Sequence, residues 1–595
     1  MYRKRNIRRI SGAVLLEQGT ENGNRNGLLE NIVIRLYRIG EETFCGEENK
    51  EDGMIYKEKL FAETWTNKYG NYHFFVPRGS YSVGIDSTTL PDGFEAAAVD
   101  LMADYERNNG LDFQLRTKPN AAQPLNTEPA LDLCAFDKVR HAYRKGLIDE
   151  GKKALYTLYS IFDREKLSEE YRSQIPIKSG TIALEEIQSY IGRPDADRDT
   201  VETARKVMVS AVPKLDREYR SPGGFFNIHY TLSGDNAVFL GTRYRDGVPA
   251  YVRVVAEAFD RVKTFTCGTR GFRQPVLSGG KTAIDVHIYN LKGLFGYTSA
   301  LGKLISRETG IKTAPCYICI DNNFSRSKGF EKDPHDCIRV TAAHEFFHAV
   351  QYAYNVDADI WWKEASATWN EDEVYNGVND YVRYIDNYFK APHKPLEDSS
   401  YGGVVFVKYL SENLGGYETI RKIWENHASI IGSSKASIDR TIKAIKEGED
   451  LGTVFNRFSA CNYNPSQYYK EGAQWKTQVF LQETYQNYPV ALTSDRLDHL
   501  SSRYQLFKPM EKADPAGLKL VIQANGKVRW GFKIQKRKRK DNMCSMTEIG
   551  MDREYDRLEI VLKDTYKTYS EVCLIPANLE NERDQLQYSY SASLL

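Results

Sequence analysis

Residues 341–354 read Thr-Ala-Ala-His-Glu-Phe-Phe-His-Ala-Val-Gln-Tyr-Ala-Tyr and predict a buried helix, because small and apolar residues surround the few polar ones. His344 and His348 stand four positions apart. A helix therefore places them on one face, about one turn and roughly 40° apart. The whole chain holds only 10 histidines. Burying two of them beside a carboxylate costs free energy unless each polar group finds a partner.

The spacing of these histidines suits a shared metal ion. Two imidazoles one turn apart can reach a single Zn²⁺ at about 2.0–2.1 Å. Glu345 lies about 100° round the helix from His344, where its carboxylate can accept a proton from water beside the ion. This is the HExxH arrangement; the plain alternative is two core histidines bonded to polar neighbours. A longer pattern with glycine at 351 and histidine at 354 is excluded, since these residues are Gln351 and Tyr354.

A third protein ligand is expected downstream, where residues 359–375 read Asp-Ile-Trp-Trp-Lys-Glu-Ala-Ser-Ala-Thr-Trp-Asn-Glu-Asp-Glu-Val-Tyr. Asp359 is predicted to cap the N-terminus of a helix through this segment. Glu364 then lies in the first turns of that helix. The small residues after it allow two helices to approach closely enough to share one metal. Residues 355–359 supply the turn between the helices.

The two segments together resemble a known family. His344-Glu-Phe-Phe-His-Ala-Val-Gln, followed by Trp361-Trp-Lys-Glu-Ala-Ser-Ala-Thr-Trp, is similar to the glutamate-zincin (gluzincin) metallopeptidases. The similarity is most specific to a bacterial metalloprotease group with HE(F/Y)FHAxQ and WxxEAxAxW motifs. It covers most of the chain and is densest over 337–375. The resemblance implies a hydrolase with one catalytic Zn²⁺ and a protein or peptide substrate. It also implies His344, His348 and Glu364 as zinc ligands and Glu345 as general base.

Two further residues are candidates for supporting roles. Thermolysin-like relatives place an aspartate four residues after the glutamate ligand, and that position is Thr368 here. Glu371, one turn further along the same face, could instead orient a zinc-bound imidazole; the alternative is a plain surface carboxylate. Tyr401 is the candidate donor to the oxyanion that develops during hydrolysis, with a packing role as its alternative. His393 is a weaker candidate for the same task.

Length and pattern predict a multidomain α+β protein. At about 100–200 residues per domain, the 595 residues divide into a β-sandwich (1–118), a helical connector (119–222), a zincin-like catalytic domain with a mixed sheet and a helical C-lobe (223–480), and a C-terminal β-rich domain (481–595). The first part resembles transthyretin-like or carboxypeptidase-regulatory-like sandwiches, through Thr66-Asn-Lys-Tyr-Gly-Asn-Tyr and Pro77-Arg-Gly-Ser-Tyr-Ser-Val. Residues 77–79 are predicted to join two strands as a hairpin, and 118–129 to form a linker.

Composition excludes several partners. The 81 Lys+Arg and 80 Asp+Glu residues leave a net charge of +1, which provides no field to attract nucleic acid. The run Lys536-Arg-Lys-Arg-Lys540 is therefore interpreted as an exposed hairpin turn. No apolar run approaches the ~18 residues of a membrane-spanning helix, so no membrane span is expected. Cys316 and Cys319 are predicted to lie on opposite faces of one strand, as structural thiols.

The sequence therefore favours a zinc metallopeptidase. An endopeptidase is preferred to an aminopeptidase, because no acidic anchor for a substrate N-terminus lies near the HExxH motif. The non-enzymatic alternative is a multidomain binding or adhesion protein with a relic or structural zinc site. The basic N-terminus is not followed by a hydrophobic signal segment of about 7–15 residues. This predicts a cytoplasmic protein if Met1 is the true start, whereas the resemblance implies a secreted or cell-surface one.

Overall fold

A computed structural model of the chain confirms the predicted multidomain α+β fold. The chain divides into two units, of which the first comprises Met1–Pro129, Phe389–Leu396 and Leu451–Leu595. The second unit comprises Ala130–Tyr388 and Glu397–Asp450. Apart from residue 129, the predicted linker at 118–129 lies outside the described residues. The structure describes residues 8–16, 29–44, 54–67, 70–77, 79–86, 89–90, 94–96, 100–103, 111–117, 129–131, 133–209, 212–239, 246–324, 333–510, 517–550 and 555–595.

Strands and helices alternate along the chain in blocks. The strands are β1 (Arg8–Leu16), β2 (Val33–Phe44), β3 (Met54–Trp65), β4 (Asn71–Val76), β5 (Tyr81–Ile85), β6 (Phe94–Ala96), β7 (Asp100–Ala103), β8 (Phe113–Thr117), β9 (Ile177–Ser179), β10 (Arg217–Arg220), β11 (Phe226–Tyr230), β12 (Ile284–Tyr289), β13 (Leu294–Ala300), β14 (Leu304–Ile305), β15 (Lys312–Thr313), β16 (Cys316–Asp321), β17 (Glu483–Tyr485), β18 (Val490–Leu497), β19 (Ser501–Ser502), β20 (Gln505–Phe507), β21 (Leu518–Ala524), β22 (Trp530–Lys538), β23 (Cys544–Gly550), β24 (Arg557–Leu562), β25 (Tyr569–Asn578) and β26 (Leu586–Leu594). The α-helices are α1 (Ala135–Arg144), α2 (Glu150–Phe162), α3 (Thr181–Ile191), α4 (Arg198–Val209), α5 (Ala250–Lys263), α6 (Pro334–Tyr352), α7 (Ile360–Val374), α8 (Val382–Lys390), α9 (Val404–Asn413), α10 (Tyr417–His427), α11 (Ser434–Ile445), α12 (Leu451–Cys461), α13 (Pro465–Tyr468) and α14 (Thr565–Thr568).

The N-terminal strands of the first unit enclose one core from two sheets. One sheet has the order β4-β1-β8-β6, and β2, β3, β5 and β7 belong to a second sheet. Alternate residues of both sheets are buried in a shared apolar cluster, as expected for strands with one solvated face. The cluster includes Ile10, Val14, Ile34, Leu36, Tyr72, Phe74, Val83 and Ile85.

The hairpin predicted across residues 77–79 is wrong. Strand β4 pairs with β1, and β5 pairs with β2, so the two strands on either side of this turn belong to different sheets. The chain crosses between the sheets because the apolar faces of both strands, through Phe74 and Val83, enter the same core. The turn residues are compatible with either connection, and burial decides between them.

The two ends of the chain share a sheet in the first unit. Strand β24 pairs with β3, with Arg557 opposite Glu58 and Val561 opposite Met54. This pairing completes an eight-stranded sheet of order β18-β26-β21-β24-β3-β2-β5-β7. The regions predicted as separate β domains at 1–118 and 481–595 are thus joined by backbone hydrogen bonds. A further sheet of order β17-β20-β25-β22-β23, with β19 paired to β25, completes the C-terminal part.

The second unit is built on a six-stranded sheet of order β10-β11-β12-β16-β13-β9. Strands β11, β12 and β16 are parallel, and β13 runs antiparallel to β16. Helices α5 and α6 pack on the apolar face of this sheet, where Phe226 contacts Phe259 and Phe346. The region predicted as a separate helical connector, 119–222, contributes β9 to this sheet. Residues Ile177 and Ser179 pair with Leu294 and Gly296 of β13.

The helices of the two motif segments lie at the centre of the second unit. Helix α6 begins after Asp333, whose side chain accepts a hydrogen bond from the His335 amide, and Pro334 occupies its first turn. Both α6 and α7 are buried on nearly all sides. The apolar and small residues of α6 predict this, whereas α7 also buries the polar residues 370–372. Asp359 does precede α7, but its side chain makes no capping bond there. It accepts a hydrogen bond from the Ser434 amide at 2.6 Å instead.

Several smaller expectations are settled by the structure. Cys316 and Cys319 lie in β16, and both are buried. The run of basic residues at 536–540 is only partly an exposed turn. Lys536 belongs to β22 and is buried, with its ammonium 4.7 Å from the Tyr569 ring centre. Packing of its aliphatic stem and the contact of the ammonium with an aromatic face compensate for the loss of hydration. No described helix is long and apolar enough to cross a membrane.

Candidate metal centre

Helices α6 and α7 bring the three predicted ligands together. One ligand atom each from His344, His348 and Glu364 lies within 4.8 Å of the others. The Nε2 atoms of His344 and His348 are each 3.1 Å from one oxygen of Glu364. All three side chains are 0% exposed. The small residues Ala365 and Ala367, which flank the ligand turn of α7, are also fully buried, in keeping with the close approach of the helices.

Each imidazole is oriented by a second hydrogen bond. The Nδ1 atom of His344 lies 2.7 Å from Glu371 Oε1, and the Nδ1 atom of His348 lies 2.8 Å from Gln351 Oε1. Both partners accept, so each Nδ1 carries the proton and each Nε2 offers a lone pair towards the other ligands. Such bonds fix the tautomer and ring orientation of metal-bound histidines. Glu371 thus contacts His344 and is not a surface carboxylate.

The donor set fits a divalent cation. His348 Nε2 and Glu364 Oε1 are buried and make no hydrogen bond, although they lie 3.1 Å apart. Burial without a hydrogen-bond partner is costly for such atoms. Two imidazole nitrogens and one carboxylate form the set of protein ligands used by catalytic zinc sites. The burial of Glu364 opposes its charge, but the two imidazoles lower the pKa of this carboxyl below its ordinary value.

Glu345 lies beside the ligands and is held by two hydroxyl groups. Its Oε2 atom accepts hydrogen bonds from Thr181 at 3.0 Å and from Thr298 at 2.9 Å. Its Oε1 atom is buried and makes no hydrogen bond. Burial raises the pKa of Glu345 above its ordinary value. Strand β13 reaches this carboxylate because Gly296 has no side chain; a Cβ there would lie 3.0 Å from Glu345 Cγ and 2.9 Å from Thr341 Cγ2.

A buried ammonium group supports Glu371 from the other side. Lys178 Nζ lies 2.5 Å from Glu371 Oε2 and 2.7 Å from Asp380 Oδ2. It also lies 4.5 Å from the centre of the Tyr384 ring. Burial would lower the pKa of Lys178, but Asp380 and Glu371 raise it above its ordinary value. Lys178 is therefore a permanent cation that fixes the carboxylate bonded to His344.

Tyr401 lies beside the metal ligands, in the helical turn Leu396–Gly403. Its ring centre is 6.0 Å from that of His344. Its hydroxyl accepts from the Ser179 amide at 3.2 Å and donates to the Ser179 carbonyl at 3.3 Å. Burial raises the pKa of Tyr401 well above its ordinary value, so the hydroxyl remains a donor. The preceding Ser400 has φ 48° and ψ −124°, a conformation of the backbone that costs free energy.

The remaining candidate for the oxyanion donor is His393. It belongs to the first unit, whereas the ligands belong to the second.

Sequence reasoning missed five groups that complete the site. Gln351 follows His348 by three positions on one helix, a spacing that brings side chains together, so it could have been found. An isolated glycine within a strand pattern signals close backbone approach, and Gly296 carries that signal. No local pattern marks Lys178, Thr181 or Thr298, because their partners are distant in sequence.

Comparisons with known proteins do not assign this chain to a family. No protein-family model matches the chain, and no curated protein matches it. Among solved structures, one similar chain is a family GH115 4-O-methyl-α-glucuronidase with specificity for decorated arabinogalactans, at 11% sequence identity and a TM-score of 0.12. The match covers 43% of this chain and 38% of that chain. A TM-score this low carries no argument about fold or activity.

Proposed function

We propose that this protein is a zinc-dependent metallopeptidase of the gluzincin type, acting as an endopeptidase on protein or peptide substrates. The observation that carries the proposal is the convergence of His344 Nε2, His348 Nε2 and the Glu364 carboxylate beside the carboxylate of Glu345. The gluzincin motifs at 344–351 and 361–369 support it further. Zinc is favoured among divalent ions because the donor set is that of catalytic zinc sites.

The residues around the cluster have distinct tasks in this proposal. A bound Zn²⁺ would supply Lewis-acid chemistry, polarising a carbonyl oxygen and lowering the pKa of water. Glu345 Oε1 makes no hydrogen bond and accepts the proton, while Thr181 and Thr298 hold Oε2 in place. Because burial raises its pKa, the carboxylate binds a proton more readily and can then pass it to the leaving amine.

Tyr401 is the proposed donor to the developing oxyanion. Its hydroxyl keeps its proton because burial raises its pKa, and its ring lies 6.0 Å from the ring of His344. Glycines follow it at 402 and 403, where a Cβ would come within 3.1 Å of the Tyr384 carbonyl and 3.2 Å of Ala365 Cβ. These close contacts fix the turn against α7 and α8, as a preorganised donor requires.

The test combines metal analysis with one substitution. Purified protein is expected to hold stoichiometric zinc and to cleave casein, and Glu345→Gln is expected to retain zinc while losing hydrolysis at least about 100-fold. Glu257→Gln, an equivalent change at an exposed position of α5, serves as the matched control and should keep full activity. Glu364→Gln should weaken zinc binding. Absence of zinc, or full activity of Glu345→Gln, would sink the proposal.

A structural metal site is the second candidate, and the complete burial of the ligands favours it. It would belong to the non-catalytic binding or adhesion protein considered from the sequence. In that case zinc removal by a chelator lowers the unfolding temperature, but neither the protein nor Glu345→Gln cleaves casein. Products of an N-acetylated peptide separate an endopeptidase, which cleaves it, from an aminopeptidase, which does not. The cytoplasmic and the secreted or surface locations both stay predictions.

A further inference from the structure

The candidate active site is closed. His344, His348, Glu364 and the proton-accepting Glu345 are each 0% exposed. A peptide substrate must place its carbonyl group within reach of these atoms before any hydrolysis. The residues that the proposed reaction needs are therefore in place, but a peptide substrate cannot reach them in this conformation.

Four consecutive residues, Ile177–Gly180, cover the strand edge beside this site, with the sequence Ile-Lys-Ser-Gly. Strand β9 within this segment is the last strand of its sheet and pairs with β13. The Gly180 amide extends the pairing by donating to the Gly296 carbonyl at 2.9 Å. The segment thus occupies the edge of the strand that carries Gly296, whose backbone packs against Glu345.

An extended peptide substrate would use the same edge. Exposed strand edges bind peptides by adding a strand, because main-chain donors and acceptors there are unpaired. Here the donors and acceptors of β13 beside Glu345 are taken by the protein's own chain. No substrate can pair with this part of β13 while Ile177–Gly180 holds it.

The same segment also contacts two groups of the site. The Tyr401 hydroxyl, proposed to stabilise a substrate carbonyl oxygen, donates to the carbonyl of Ser179 at 3.3 Å. Lys178 binds Glu371, the partner of His344, at 2.5 Å. Thr181, which donates to Glu345 Oε2 at 3.0 Å, is the first residue of α3 and stays with that helix. The segment therefore occupies the proposed oxyanion donor, while the residue that positions Glu345 belongs to the neighbouring helix.

We propose that Ile177–Gly180, which ends where α3 begins at Thr181, is an internal, substrate-like strand that holds the active site closed, and that peptidase activity rises with the fraction of molecules in which this segment is displaced. The inference rests on the proposed function and adds its regulation. The segment is reachable from one side, since Gln174 and Ile175 just before it are exposed, and exposed loops are the sites at which proteases cut chains. A cut there releases the start of β9 while α3 keeps its place in the core.

The test inserts a recognition sequence for a specific protease between Gln174 and Ile175. A matched control carries the same insertion between Glu447 and Gly448, in the exposed turn after α11. Both zinc-loaded proteins are cut, and two quantities are measured: casein hydrolysis and binding of a fluorescent peptide hydroxamate, which ligates zinc without being cleaved. Cutting after Gln174 should raise casein hydrolysis and hydroxamate binding by about tenfold or more, in proportion to the fraction of molecules in which the segment is displaced. Cutting at 447 should change neither.

The two readouts separate this inference from the function on which it rests. Equal hydrolysis before and after the cut at 174 overturns the closing role and leaves the peptidase intact. Hydroxamate binding that rises after the cut, without any casein cleavage, supports the closing role and overturns the peptidase. If neither protein binds the hydroxamate or cleaves casein, both ideas fail.

A second pair of variants leaves the chain uncut. Ser179→Pro removes the amide that donates to Tyr401 and weakens the pairing of β9. Ser179→Ala keeps that amide and is the control at the same position. Hydrogen exchange at Gly180 and hydroxamate binding should both be faster in Ser179→Pro than in Ser179→Ala. Identical exchange and binding in the two variants would contradict the proposal, provided that both variants retain zinc.

Discussion

Two buried networks of charged groups, one in each unit, have opposite balances of charge. In the first unit, Arg557 of β24 contacts Glu58 of β3, and Ser82 donates to the same carboxylate at 2.8 Å. In the second unit, the carboxylates of Glu345, Glu364, Glu371 and Asp380 surround the two imidazoles and the ammonium of Lys178. Glu559 also lies 3.7 Å from the Arg557 guanidinium and 2.9 Å from Lys519 Nζ, so the first network balances two cations with two anions. The second holds more anions than its lysine can neutralise.

The difference separates a structural ion pair from a binding site. A buried ion pair holds two strands in register and needs no further charge. A buried excess of carboxylates with unshared lone pairs requires a cation, and a divalent metal provides one. Arg557 and Glu364 are both 0% exposed, so burial alone does not distinguish a structural ion pair from a binding site. The excess of buried negative charge does distinguish them.

The largest effect is expected in the first network. Arg557→Met leaves the Glu58 carboxylate buried without its cation and should lower the free energy of unfolding by about 3–5 kcal/mol. The double variant Glu58→Gln/Arg557→Met removes both charges and should lose less. Urea unfolding followed by circular dichroism measures both. Equal losses in the single and double variants would show that the pair does not act as a pair.

The next effect concerns a buried histidine without carboxylate partners. Burial lowers the pKa of His427 to about 4. An unfolded histidine has a pKa of about 6.5. The unfolded state therefore binds the proton of His427 first, and stability falls as the pH drops from about 6.5 to about 4.

His427→Phe removes this titration and keeps an aromatic ring against Trp424, whose ring centre is 5.0 Å away. Between pH 7 and pH 4 the natural protein should lose about 3 kcal/mol more stability than the variant. Parallel pH dependences of the two unfolding free energies would contradict the assignment. The carboxylates titrate equally in both proteins, so the difference isolates His427.

A smaller effect is expected at the charged partner of His344. Glu371→Gln keeps the shape of the hydrogen bond to the imidazole but removes the charge that balances Lys178. Loss of such an orienting carboxylate weakens metal binding by about 10–100-fold. Competition with a zinc-binding dye measures the affinity, with Glu257→Gln as control. An unchanged affinity would mean that the network does not support the ligands.

The smallest effect is expected at the neutral partner of His348. Gln351→Met removes one hydrogen bond to the imidazole, and with it two donated by the amide to the Lys363 carbonyl and the Ser366 hydroxyl. A neutral hydrogen bond contributes about 0.5–1.5 kcal/mol, so zinc affinity should fall less than in Glu371→Gln. A greater loss for Gln351→Met would reverse the distinction between charged and neutral partners.

The sequence was sufficient for the parts of the site that depend on local pattern. The apolar and small residues around His344 and His348 predict helix α6, and helix geometry places these two histidines on one face. Glu364 on the next helix follows from the resemblance to gluzincins. Strand β9 could not be predicted, because three residues between Pro176 and Gly180 show no periodicity. The burial of Lys178 depends on Glu371, which lies 193 residues away. The hairpin error has the same origin, since turn residues do not record which sheet the next strand joins.

The pairing of β24 with β3 has a consequence for how the chain is made on the ribosome. Arg557 follows its strand partner Glu58 by 499 residues. At a translation rate of about 5–20 residues per second, β3 is synthesised roughly 25–100 s before β24, the strand that pairs with its edge. The whole second unit, Ala130–Tyr388 and Glu397–Asp450, is synthesised in this interval. The nascent chain thus carries an open strand edge, a template for wrong pairing, until β24 has been synthesised.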